Sequence, residues 1–117
     1  MKMVLFVLND PAKVLDLLTA WKEAGVSGAT VLSSTGMGRI HQAAALRDDL
    51  PLMPSLDDFF SSDEQLSRTI FTIIKDDEIV RRVIIATRSV VGDLDQPDTG
   101  LLVVLPLESA EGLEKKR

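Results

Sequence analysis

Cysteine and tyrosine are missing from this sequence, and histidine and tryptophan occur once each, as His41 and Trp21. Without cysteine there is no disulfide framework, no thiolate nucleophile and no thiolate metal site. A single histidine leaves too few nitrogen ligands for an ordinary zinc or iron site, so no metal centre is expected. An excess of positive charge is missing too: 13 Lys and Arg stand against 18 Asp and Glu, for a net charge of -5. A nucleic-acid binder would ordinarily carry a basic stripe to neutralise phosphates, so no nucleic-acid partner is expected. Long hydrophobic runs are also lacking. The apolar stretch Val4 to Leu8 is too short for the apolar core of a signal peptide and far too short to span a bilayer. The expectation is a cytoplasmic protein that does not itself cross a membrane.

The inventory for catalysis is equally thin. His41 has no serine or carboxylate partner that the sequence reveals, and Asp57 and Asp58 are chain neighbours on a loop, without the burial that would shift a carboxyl pKa. Asp93, Asp95 and Asp98 resemble a calcium loop only superficially. Their spacing departs from the EF-hand pattern and suits turn-forming residues better. The protein is not expected to be an enzyme.

What is present is one domain's worth of periodic structure. With 117 residues, 45% of them hydrophobic, the chain can bury one core. Lys2 to Leu8 reads as a strand that stops at Asn9-Asp10-Pro11, where Asn9 or Asp10 can cap a helix and Pro11 suits its first turn. Val14, Leu17, Leu18, Trp21 and Ala24 recur at helical spacing, which makes Trp21 a core residue. Gly25 is placed to end this helix in a left-handed conformation. A β-branched segment, about Ala29 to Thr35, predicts a second strand. Arg68 to Ile74 predicts a third strand, and Asp76 or Asp77 caps a second helix with Ile79, Val80, Val83, Ile84 and Thr87 on one face. Gly92 closes that helix, a polar turn runs from Asp93 to Gly100, and Leu101 to Leu105 makes a last strand. The charged segment after Pro106 is expected to fray.

Between the two halves, Gly36 to about Gln65 has no clear periodicity. It holds two prolines, and Ser55 with Asp58 could cap one short helix. So long an irregular stretch inside a compact domain points to a functional loop, or else to an insertion without a role. Its Phe59-Phe60 pair is the better candidate for a partner contact, because an exposed aromatic pair is costly without one. The order strand-helix-strand-loop-strand-helix-strand predicts an α+β, ferredoxin-like βαββαβ sandwich: a four-stranded antiparallel sheet with two helices on one face. One domain is expected over residues 1–108, with a long loop at 37–65 and a charged tail at 109–117.

Both faces of the predicted sheet are apolar. Met3, Leu5 and Val7 oppose Val4, Phe6 and Leu8; Leu101, Val103 and Leu105 oppose Leu102 and Val104; Phe71 and Ile73 oppose Ile70 and Ile74. Two helices on one side cannot bury both faces, and a bare apolar sheet face is too large a patch for a soluble monomer. Burial against other subunits is therefore expected. The alternative, that the long loop folds over the face, suits its Asp- and Ser-rich composition poorly.

At this point the sequence resembles a known family. The stretch "AGVSGATVLSSTGMGR", Ala24 to Arg39, is similar to the P-II nitrogen-regulatory family, in which a helix ends in a Gly-x-x-Gly turn, a strand follows, and a Gly-aromatic-Gly-Arg segment opens a long T-loop. "ATRSVVGDL", Ala86 to Leu94, resembles the family's B-loop with its Gly-Asp pair, and "VVLPLE", Val103 to Glu108, its final strand. The resemblance covers nearly the whole chain up to Glu108. It implies a homotrimer with inward-facing sheets, adenine-nucleotide sites in the clefts between subunits, and a T-loop that docks on a target transporter or enzyme. It further implies that Gly36, Gly38 and Arg39 lie along the nucleotide, that Thr30 faces the base, and that Gly92 and Asp93 form part of the phosphate-side loop. Glycines allow close backbone approach to phosphate, and arginine offers it a planar fork.

The departures are specific. Leu94-Asp95-Gln96 replace the family's glycines and lysine, Ile40 stands where its glutamine would be, and Ser109 to Glu114 lacks its arginine pair. Burying a triphosphate needs matching cations. The effector implied is thus AMP, ADP or a cyclic nucleotide more readily than ATP, with none tightly bound, or no nucleotide at all. Without tyrosine the family's uridylylation switch cannot operate. Arg39 reads either as a phosphate ligand or as an ordinary solvated residue. His41 reads as an ordinary loop histidine, with a titrating role near neutral pH the other reading. The function expected is a regulator that senses a small effector at subunit clefts; the alternative is a constitutive trimeric adaptor that has lost nucleotide binding.

Overall fold

In the computed structural model, residues 1–38 and 66–114 are described. Strand β1 spans Lys2–Leu8, helix α1 Val14–Ala24, strand β2 Thr30–Ser34, strand β3 Ser67–Ile74, helix α2 Asp77–Val91 and strand β4 Gly100–Pro106, with a single 3-10 turn at Pro11–Lys13 ahead of α1. The four strands form one sheet in the order β2-β3-β1-β4, and every neighbouring pair is antiparallel. The protein is therefore α+β, with a four-stranded antiparallel sheet and two helices, an arrangement compatible with a ferredoxin-like sandwich.

The termini of the helices follow from local chemistry. Asp10 accepts a hydrogen bond from the amide of Ala12 at 3.0 Å, and Pro11 occupies the first position of the turn, where no amide donor is needed. Asp76 does the same for α2, accepting from the amide of Glu78 at 2.9 Å. Gly25 closes α1 at φ 115, a left-handed conformation that costs other residues dearly, and its amide donates back to Lys22.

One face of the sheet and one stripe of each helix make the core. Val4, Phe6 and Leu8 from β1 meet Ile70 and Ile74 from β3, with Leu17, Trp21 and Ala24 of α1 and Val80, Val83 and Val91 of α2. Leu102 and Val104 of β4 pack against the same cluster. Both helices thus lie over a single face. Trp21, Phe6 and Leu8 are fully buried, and each fully buried large apolar side chain stabilises by about 1.5–3 kcal/mol. Gly100, at φ 141, lies where β4 passes closest to β1: a Cβ there would collide with the carbonyl of Val7 and come within 2.7 Å of the Phe6 ring.

A buried polar tie joins the two helices. The Trp21 indole Nε1–H donates to Thr87 Oγ1 at 2.9 Å, and the Thr87 hydroxyl donates onward to the Val83 carbonyl at 2.7 Å. Every hydrogen-bonding group of the pair is used, so burial of both is tolerated.

The segment past β4 departs from expectation. Instead of fraying after Pro106, residues up to Glu114 have a defined course. The Leu107 amide donates to the Met1 carbonyl at 3.1 Å, and Lys75 Nζ meets Glu114 Oε1 at 2.5 Å. Gly112, at φ 86, supplies the left-handed turn that brings the segment back.

Thr87→Val preserves the shape of the core but leaves the Trp21 N–H buried without an acceptor. It should lower unfolding free energy by about 1–3 kcal/mol, read from urea denaturation followed by Trp21 fluorescence. A change under about 0.5 kcal/mol, the ordinary range of a surface substitution, would show that the indole finds another acceptor.

Candidate functional site

The pairing registers define the sheet face turned away from the helices. Three rows cross it: Leu101, Val7, Thr69 and Leu32; Val103, Leu5, Phe71 and Thr30; Leu105, Met3 and Ile73. Most of these residues are apolar. Leu101 is 60% exposed, Leu32 50% and Leu105 44%, while Met3, Leu5, Val7, Phe71 and Ile73 are half-buried by one another. A face of this kind is energetically expensive in water.

At the end of the sheet where β2 stops and β3 starts, three hydroxyls form an ordered chain. Thr69 Oγ1 donates to Ser34 Oγ at 2.8 Å, the Ser34 and Ser67 hydroxyls lie 3.0 Å apart, and Ser67 Oγ donates to the Ser34 carbonyl at 2.9 Å. The direction consistent with all three has Ser34 donating to Ser67. This chain welds the root of the segment that follows β2. Just beyond it, Gly36 and Gly38 are exposed, and a Cβ at either would meet open space, so a ligand could approach the backbone there. Arg39, His41, Ser55, Asp57, Asp58, Phe59 and Phe60, together with the long loop assigned to 37–65 from Arg39 onward, lie outside the described residues.

Gly92 and Asp93 follow α2 at the same end of the sheet, but the polypeptide they lead into is β4, at the opposite edge from β2. Three strand spacings, about 14 Å in all, separate the two edges. Gly36 and Gly38 thus leave β2 at one edge of the sheet, while the segment that begins with Gly92 and Asp93 enters β4 at the other. The Gly92 amide, moreover, donates to the Arg88 carbonyl at 2.8 Å and is committed to ending the helix. Asp93 folds its carboxylate inward to accept from the Asp95 amide at 2.9 Å, and its carbonyl accepts from the Gln96 amide at 3.0 Å. The turn from Asp93 to Gly100 carries three aspartates and no basic residue.

Thr30 lies at the far end of β2, about 13 Å along the strand from Ser34. It borders a cleft of about 570 Å³ with Ser27, Gly28, Phe71, Ile73, Leu113 and Glu114. A second hollow of about 200 Å³, between Gly25, Ile79, Lys75 and Asp76, lies on the other side of Leu113. Ser27, Ile73, Leu113 and Glu114 line both, so the returning C-terminal segment forms part of the partition between them. The Thr72 hydroxyl fixes the floor, donating to the Gly28 carbonyl at 2.6 Å. Sequence reasoning missed this partition; the signal was Gly112-Leu113, a turn residue and an apolar residue inside an otherwise charged stretch.

Of the six residues expected at a ligand site, Thr30 borders the larger cleft described above, Gly36 and Gly38 stand open just beyond β2, Gly92 and Asp93 end α2 and open the turn into β4, and Arg39 is outside the described residues. Among the described residues no group of three or more His, Cys, Asp or Glu could hold a metal ion. No helix among them is long and apolar enough to cross a membrane. No protein-family model matches the chain, and no curated protein matches it.

The hydrogen bond from Lys75, and its charge, hold the Glu114 carboxyl below its ordinary value of 4.5. A carboxyl with a depressed folded-state pKa stabilises its contact above the unfolded value, and that contribution is lost as the pH falls through the folded one. The partition should therefore open under acid conditions. The amide exchange of Leu113 should accelerate as the pH drops below about 4, after correction for intrinsic rates, and Lys75→Ala should give the fast rate already at neutral pH. Equal rates in both proteins across the range would show that the ion pair does not hold the segment.

Proposed function

We propose that this protein is a P-II-like regulator: an oligomer, expected to be a homotrimer, that senses a small adenine-nucleotide-class effector in clefts between subunits and controls a target protein through the loop that follows β2. The observation that carries this reading is the apolar sheet face opposite the helices, which requires a covering that the described part of one chain does not supply. Packing three such faces together supplies it. In this reading the effector cleft draws Gly36 and Gly38 from the end of β2, and Gly92 and Asp93 from the turn that leads into β4, where subunits meet. Arg39 supplies the phosphate contact, and no catalytic step is assigned.

A specific observation favours the second reading, a constitutive trimeric adaptor. The loop offered to the phosphates carries Asp93, Asp95 and Asp98 without a lysine or arginine, and the Gly92 amide is engaged by its own helix. A polyphosphate beside three carboxylates without a matching cation is electrostatically disfavoured. The effector most compatible with this loop carries little phosphate charge: AMP, or a cyclic nucleotide.

Two measurements on the purified protein separate the readings. Light scattering coupled to size exclusion should give three chains, and Leu5→Asp, which places a charge in the middle of the apolar face, should dissociate them. Melting of the oligomer is then followed with AMP, ADP, ATP and cyclic di-AMP, with and without magnesium. An effector at 100 times its Kd adds about 2.7 kcal/mol to the native state, and the shift should vanish in Arg39→Ala. A trimer that ignores the whole panel establishes the adaptor; a monodisperse monomer overturns both.

A further inference from the structure

The outward face of α2 carries a charge pattern that neither the core nor the proposed effector site uses. Ile85 projects from the middle of the helix and is 66% exposed. On a helix surface the neighbours of a residue are those three and four positions away. For Ile85 these are Arg81, Arg82, Arg88 and Ser89, and all four are exposed. A single exposed isoleucine is ordinary; one ringed by three guanidiniums, in a chain of net charge -5, is a local reversal of the molecule's charge.

Among the described residues, the three arginines meet little neutralising charge. Arg81 and Arg82 share the single carboxylate of Glu78, at 2.8 and 3.9 Å, in exposed pairs one helical turn apart. Such surface pairs are weak and exchange readily for a better partner. Arg88 makes no side-chain ion pair among the described residues. The patch is also bounded. Asp76, Asp77 and Glu78 stand at the start of α2, and Asp93, Asp95 and Asp98 follow its end. From Arg81 to Ser89 the basic stretch runs about 12 Å at 1.5 Å per residue.

We propose that this face of α2 is a docking site for a short acidic peptide segment of a partner protein, one with an apolar or aromatic residue between its carboxylates. The carboxylates engage Arg81, Arg82 and Arg88, whose planar guanidiniums suit bidentate pairing, and the apolar residue covers Ile85. The acidic boundaries decide the class of partner. A nucleic-acid duplex or an anionic membrane would extend its negative charge past the patch, onto carboxylates at both ends of the helix. A short segment ends before reaching them, and those same carboxylates then fix its register by repulsion.

The test titrates the isotope-labelled full chain, at low ionic strength, with the acetylated and amidated peptide Asp-Glu-Phe-Asp-Glu, followed by amide chemical shifts. Saturable binding is expected, with shifts centred on Arg81 to Ser89 and affinity falling as salt is raised. Arg88→Gln and Ile85→Ser, both at exposed positions and so expected to leave the melting temperature unchanged, should each weaken binding roughly tenfold, as loss of one well-placed anchor does. A peptide with lysine in place of each acid should not bind. The proposal is overturned by absence of saturable binding, by shifts centred elsewhere, or by wild-type affinity in both variants. It is equally overturned if a short DNA duplex or phosphatidylserine vesicles displace the peptide at matched charge concentration.

Discussion

Helices cover a sheet from one side only when both lie over the same face, and here they do. Leu17 and Trp21 of α1, with Val80 and Val83 of α2, close over Val4, Phe6, Leu8, Ile70 and Ile74. The residues between these along the same strands, Met3, Leu5, Val7, Phe71 and Ile73, are as apolar as the ones they alternate with. Strand periodicity sends them to the opposite side without exception. A chain that placed polar residues there would be content as a monomer. The chemistry of this second face, more than any single side chain, is what makes an assembly of several chains the natural reading.

That constraint also governs how the candidate ligand positions are understood. Gly36 and Gly38 leave β2 at one edge of the sheet, and the segment from Gly92 and Asp93 enters β4 at the other. In the proposed assembly these edges would lie where subunits meet. The acidic turn after α2 would narrow the chemistry of the proposed effector, since its three aspartates carry no cation of their own in that turn. The outer surface of α2, basic around Ile85, is electrostatically the inverse of the acidic turn that follows the helix. A basic helix face and an acidic turn thus stand next to each other along the chain.

Much of the fold was legible in the sequence because its signals are local. Asp10 and Asp76 sit where capping carboxylates belong, Gly25 and Gly92 where helices stop, and alternating apolar residues where strands run. The core position of Trp21 followed from helical spacing alone. What escaped depends on residues far apart in the chain. The Lys75 and Glu114 contact joins positions 39 residues apart, and nothing in a charged terminal stretch announces which lysine it will meet. The Thr87 hydroxyl reads in sequence as one more position on a helix face; only the packing shows that it answers the Trp21 indole. The candidate site was legible as a set of residue types at the ends of elements, but not as a geometry, because how those ends sit together is set by packing between distant parts of the chain.

The hydroxyl chain linking Ser34, Ser67 and Thr69 bears on how this protein can change over evolutionary time. It pins together the two points from which 32 residues depart and return. The entropy of closing a loop grows only logarithmically with its length, by about 0.6 kcal/mol for each doubling. With the two ends already held side by side by strand pairing and by these hydroxyls, the segment between them can lengthen, shorten or change composition at little cost to the domain. The sheet serves as a fixed mount on which one segment is free to diversify, so related chains should differ most in what grows from it and least in the serines that hold it.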